Sequence, residues 1–134
     1  MIDPVRRFFP LCLLAILVVG SVGCGGGSKP KLVPVAGHMT LAGQPLTAGS
    51  LSFHTDEGNP YTGDKPSCQL QLDGSFTMRT YPHGDGVPPG KYKVTLVPAL
   101  AARIKKPELG DPAKTTLKID VPDAGIADHR IDLP

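Results

Sequence analysis

Gly86-Val87-Pro88-Pro89-Gly90-Lys91-Tyr92-Lys93-Val94-Thr95-Leu96-Val97 is the stretch around which the rest of this chain reads. Tyr92, Val94 and Leu96 share one parity, and Lys91, Lys93 and Thr95 the other. That period of two belongs to a half-buried antiparallel strand, one face on a core and one in water. Pro88 and Pro89 fix φ and have no N–H to give to a ladder, so pairing starts at about Gly90. The stretch therefore predicts a central strand of a small β-sandwich, with the other segments pairing around it.

Proline and glycine set the lengths of those segments. After residue 23 the chain holds 13 Pro (15 less Pro4 and Pro10) and 14 Gly (16 less Gly20 and Gly23). Its longest stretch free of both is the nine residues Ala113–Val121. Isolated helices shorter than about 12–15 residues are marginal in water, which excludes an α-rich fold.

Nearly every interval between these breakers alternates instead. Val33, Val35, Gly37, Met39 and Leu41 share a face, and Ala42–Pro45 reads as a turn. Leu51 and Phe53 point inward from Ser50–Thr55; Cys68, Leu70 and Leu72 do so from Ser67–Leu72. Asp73-Gly74 carries the strongest hairpin signal, of the type I′ kind. Ser75–Thr80 returns with Phe76 and Met78 inward. Leu117, Ile119 and Val121 alternate along Thr115–Val121, and Ile126–Leu133 closes the fold. Asp56–Pro66 and Tyr81–Pro89 are loops by composition, and Ala99–Lys106 has room for one or two helical turns. The sum is an all-β, seven-stranded antiparallel sandwich.

Residues 1–23 read as an export signal. Arg6 and Arg7 give a positive start, and the run Leu11–Val22 is too short for the roughly 20 residues that span a bilayer. Cys12 lies inside that run and Cys24 stands at the end of the signal, so Cys68 is the one cysteine of the folded part and has no partner for a disulfide. Beyond the signal there are 12 Lys/Arg (14 less Arg6 and Arg7) and 11 Asp/Glu (12 less Asp3). A balance of +1 with interspersed signs argues against a nucleic-acid partner.

Ser21-Val22-Gly23-Cys24 after an apolar run resembles a bacterial lipobox, with Ser21 standing where such boxes usually carry Leu. The resemblance implies a diacylated Cys24 as the mature N-terminus, residues 24–32 as a flexible tether, and residues 33–134 as the exported domain. The partner is then the membrane, held through Cys24, and the location the periplasmic or cell-surface side.

Within that domain, Val35-Ala36-Gly37-His38-Met39-Thr40-Leu41-Ala42-Gly43-Gln44-Pro45-Leu46-Thr47-Ala48-Gly49 resembles the opening motif of carboxypeptidase-regulatory-like domains. Asp73-Gly74-Ser75-Phe76 is similar to their D-G-x-F hairpin, and Pro89-Gly90-Lys91-Tyr92-Lys93-Val94 to their P-G-x-Y-x-V strand. The resemblance implies a prealbumin-like (transthyretin-like) Greek-key sandwich. Such folds host unrelated functions, so no activity follows from it.

The candidate chemistry is thin. His54 with Asp56 and Glu57, and His83 with Asp85, would make a metal site only if their loops met; no H-x-x-x-H, H-E-x-x-H or C-x-x-C spacing exists. Cys68 keeps register with Leu70 and Leu72, as a buried inert thiol does, and G-x-S-x-G is absent. Gly84-Asp85-Gly86 lacks the helix a phosphate loop needs. Asn59, the sole Asn, lies in a loop, which argues against the Lys–Asn crosslinks of some related surface domains. Tyr61 and Tyr81 remain as candidate ligand-binding residues on the loops 56–66 and 81–89, with packing over the core as the competing role. The expectation is a lipid-anchored, non-catalytic envelope protein without metal or cofactor, acting as a structural or protein-interaction module. The alternative is a carbohydrate- or small-ligand-binding surface domain using those two loops.

Overall fold

A computed structural model of the chain describes residues 29–134; the expected export signal, Cys24 and the first part of the expected tether lie outside the described residues. The strands are β1 (Val35–Leu41), β2 (Gln44–Pro45), β3 (Ser50–Thr55), β4 (Ser67–Gln69), β5 (Ser75–Thr77), β6 (Arg79–Thr80), β7 (Gly84–Asp85), β8 (Gly90–Leu96), β9 (Lys118–Val121) and β10 (Ile126–Leu133). A short helix α1 (Pro98–Arg103) and a 3₁₀ turn (Pro107–Gly110) lie between β8 and β9. One sheet runs β7-β6-β4-β3-β8-β9; the other runs β10-β1-β2, with β5 also on β1. The protein is mostly β, as expected, with ten strand segments among the described residues where seven were anticipated.

β8 begins at Gly90, where the two prolines release the ladder, and pairs antiparallel with β3 on one side and β9 on the other. Tyr92, Val94 and Leu96 are fully buried against Leu51 and Phe53 of β3 and Ile119 and Val121 of β9. The rings of Phe53 and Tyr92 pack with centroids 5.6 Å apart. From the facing sheet come Val35, Met39, Phe76, Ile131 and Leu133, so the two sheets close over one core. The Tyr92 hydroxyl donates to the Pro88 carbonyl at 2.6 Å, tying the strand back to the corner that launches it. Thr95 departs from the expected wet face: it is buried, with His54 Nε2 2.9 Å from its hydroxyl.

Four readings are corrected. First, β10 runs parallel to β1, not antiparallel. The Pro122–Gly125 turn reverses the chain as it leaves β9, and the Ile126 N–H donates to the Pro34 carbonyl, so β10 sets off beside the start of β1. Parity reports which face a residue occupies and is silent on strand direction.

Second, the type I′ turn is Ala42-Gly43, not Asp73-Gly74. Ala42 (φ 50°) and Gly43 (φ 81°) both have positive φ, and Gln44-Pro45 pairs back onto β1 as a strand instead of belonging to the turn. At the other site only Gly74 has positive φ; its N–H donates to the Gln71 carbonyl, making a turn with Leu72 and Asp73 at its centre. That turn carries the chain from one sheet to the other. Third, Leu72, expected inward, sits on its tip and is 94% exposed. Fourth, Tyr81–Pro89 is not loop throughout, since it contains β7.

Ser75–Thr80 is one bent run whose halves serve different sheets. β5 pairs with β1, β6 pairs with β4, and between them the Met78 N–H donates to the Val35 carbonyl. Pro98 starts α1, where a missing N–H costs nothing. Leu100 packs on Gly49, whose added Cβ would meet it at 2.4 Å, and Arg103 donates to the Thr47 and Ala48 carbonyls.

Two substitutions test this architecture. A Cβ on Gly37 would stand 2.0 Å from the His129 carbonyl oxygen, beside the bulge in the β1–β10 register. Gly37→Ala is expected to cost about 3 kcal/mol in a urea melt, at the top of the overpacking range, because the obstacle is backbone. Tyr92→Phe leaves the Pro88 carbonyl without its partner and is expected to cost about 1–2 kcal/mol in the same measurement, with the fold unchanged by circular dichroism.

Candidate functional site

The outer face of the six-stranded sheet is where polar side chains converge, because β3 sends Leu51 and Phe53 inward and leaves Ser50 and Ser52 outside, beside Gln69 and Ser67 of β4. Its register can be followed strand by strand. Asp85 of β7 lies opposite Arg79 of β6, Arg79 opposite Ser67 of β4, Ser67 opposite Ser52 of β3, and Ser52 opposite Thr95 of β8. Five strands thus contribute one polar row, spanning about 19 Å at the usual interstrand spacing of about 4.8 Å. An open trough of about 980 Å³ follows most of this row, lined also by Ser50, Gln69, Gln71, Thr77 and Lys65.

Charge within the trough is largely matched. Arg79 Nε lies 2.9 Å from Asp85 Oδ1, while Lys65 has no acidic partner within ion-pair distance among the described residues. Tyr81 follows β6 directly and stands on the rim, 83% exposed. Cys68 is half-buried at the trough wall, and burial pushes its thiol up to about 12, far from a nucleophile at neutral pH.

The two tyrosines are not brought together in one site. Tyr61 borders a smaller depression of about 350 Å³ with His54, Thr55 and Pro66, and Lys65 touches both hollows. Tyr61, a candidate ligand-binding residue, is half-buried: its hydroxyl donates to the Asp64 carbonyl at 2.7 Å, and Gly63 packs against its ring. Asn59 accepts the Tyr61 N–H and donates to the Lys91 carbonyl, so it pins the loop 56–66 to β8. Tyr61 holds its own loop closed, and Tyr81 alone of the pair offers a free ring.

His38 and His54 each serve a side-chain pair. Asp85 is taken by Arg79, and Asp56 accepts the Glu57 N–H and lies 3.5 Å from Lys118 Nζ. Among the described residues no three His, Cys, Asp or Glu side chains gather as a metal site requires. His38 Nδ1 donates to Asp128 Oδ1 at 2.8 Å, and that bond is the main cause holding the Asp128 carboxyl below its usual range. Sequence reading missed this pair, which exists only because β10 runs parallel beside β1. It likewise missed Lys65, Arg79 and Ser67 as a group, whose single available signal was the outward parity of the strands.

Comparison with family models, with curated proteins and with solved structures found no match. Fold and site together define an all-β domain with a polar, aromatic-rimmed sheet face.

A pH test follows from the half-buried imidazoles of His54 and His129. Burial, then the charge of Lys65, lowers the pKa of His54, and burial lowers that of His129. The unfolded chain therefore binds more protons than the folded one just below pH 6.5, and stability falls as pH drops through that window. Tm is expected to decrease between pH 7.5 and 5.5, and His54→Gln to flatten the decrease; an unchanged slope in the variant would contradict the assignment.

Proposed function

We propose that the chain is an exported lipoprotein, anchored through an acylated Cys24, whose β-sandwich works as a non-catalytic interaction module in the cell envelope. The observation that carries this reading is the order Arg6-Arg7, apolar Leu11–Val22, then Cys24, with the first core residue of the domain, Val33, following within ten residues. The thiol chemistry of Cys68, suppressed by burial, supports a role other than nucleophilic catalysis. We infer further that the sandwich is the prealbumin-like Greek key of carboxypeptidase-regulatory-like domains. In support, the resembling motifs fall on β1 with its turn, on the Asp73-Gly74 corner, and on β8 with its proline corner.

Labelling of growing cells with a fatty-acid analogue tests the anchor. Wild type is expected in the membrane fraction and labelled, and Cys24→Ala unlabelled and released; an unlabelled wild type overturns the reading in favour of a secreted protein.

A second reading, a carbohydrate-binding surface domain, is favoured by one specific observation. The sole aromatic ring among the large exposed apolar side chains of the described residues, Tyr81, stands on the rim of the polar trough. In this reading the loop 81–89 supplies the contact and the loop 56–66 supports it.

A further inference from the structure

We propose that the trough on the six-stranded sheet binds an acidic oligosaccharide, laid across the strands along the row from Asp85 towards Ser52. This rests on the carbohydrate reading above and names its ligand class. The lining chemistry selects against other partners. Of the large apolar side chains exposed among the described residues, Leu72, Tyr81 and Val97, only Tyr81 borders the trough. A peptide or lipid anchored by apolar side chains finds no pocket there. A nucleic acid, with a phosphate at every step, needs a row of cations, and the trough has a single unmatched one.

What the trough does offer is a dense set of hydroxyl and amide groups, from Ser50, Ser52, Ser67, Thr77, Gln69 and Gln71. These groups already hydrogen-bond water, so a ligand gains only by replacing many such bonds at once. Linked sugar rings carry hydroxyls at that density along a chain. Their C–H faces stack on an aromatic ring, which Tyr81 presents with most of its surface free. The polar row repeats at the interstrand spacing, so successive rings of an extended saccharide meet successive strands.

Charge decides between a neutral and an acidic saccharide. Arg79 and Asp85 cancel each other at 2.9 Å, which leaves the lining at +1 on the Lys65 ammonium. One carboxylate on a sugar ring matches that charge, and a lysine on the wall of an open groove binds it without a buried-charge penalty.

Isothermal titration of the full mature chain in detergent tests the assignment, with a galacturonic acid hexamer, cellohexaose and polyglutamate as probes. The uronate hexamer is expected to bind about tenfold more tightly than cellohexaose at low salt. Tyr81→Ala should weaken both saccharides about tenfold, with Tm unchanged. Lys65→Gln should bring the uronate down to the level of cellohexaose, and Lys65→Arg should restore it. Equal affinities for the two saccharides, both dependent on Tyr81, would overturn the acidic assignment and leave the carbohydrate reading standing. No binding of either at millimolar concentration would overturn both. Polyglutamate binding as well as the uronate, indifferent to Tyr81→Ala, would reduce the site to simple charge attraction and refute the proposal.

Discussion

The bent run Ser75–Thr80 is the tie on which the sandwich depends. Its first half hydrogen-bonds to β1 in one sheet, its second half to β4 in the other, and Phe76 and Met78 enter the core from between them. The only cysteine among the described residues is a free thiol, so no disulfide performs this task there. A domain of about a hundred residues buries a modest fraction of its surface, and each sheet here carries an apolar face that only the other sheet covers. Backbone pairing through one run joins the two sheets that share this core. The buried Thr80 hydroxyl, donating to the Gly86 carbonyl, then fixes the path by which the chain leaves.

How much of this was legible in the sequence depended on the kind of information each feature needed. β3 and β8 were legible almost residue for residue, because both alternate cleanly and prolines or turn residues bound them. The helix after Val97 was legible because Ala99–Lys106 is the one run with helix-forming composition. Direction and partnership were not. Ile131 and Leu133 fall on the predicted face, yet nothing in their spacing tells a parallel neighbour from an antiparallel one. Asp73-Gly74 looked like a two-residue hairpin, but the Gln71 N–H donates to the Ser75 carbonyl, so the loop is the three residues Leu72–Gly74 with positive φ at Gly74 alone. Leu72 was misplaced for the same reason.

The candidate site shows the same division. Tyr81 was singled out as a loop aromatic and is free; Tyr61 was singled out on the same grounds and is spent on its own loop, through a hydroxyl bond to Asp64 that no composition rule anticipates. The trough residues are ordinary surface serines, threonines and glutamines in sequence. They become a site only through register, when five strands bring one polar residue each to the same level. The pairing of Arg79 with Asp85 needed the two-residue strand β7, hidden in a stretch whose glycines and prolines argued for loop.

β10 has one further consequence. It is the outermost strand of its sheet, eight residues long, and would present a template on which another molecule's strand could zip. Asp128, Arg130 and Asp132 stand at alternate positions along it, exposed on the face away from Ile131 and Leu133, and Asp128 and Asp132 are already bonded to His38 and Thr40 of β1. A strand docking there would have to strip water from this charged line and compete with those bonds. The fold thus guards its longest open margin against fibrous self-assembly, and does so with the same side-chain hydrogen bonds that fasten β10 to its neighbour.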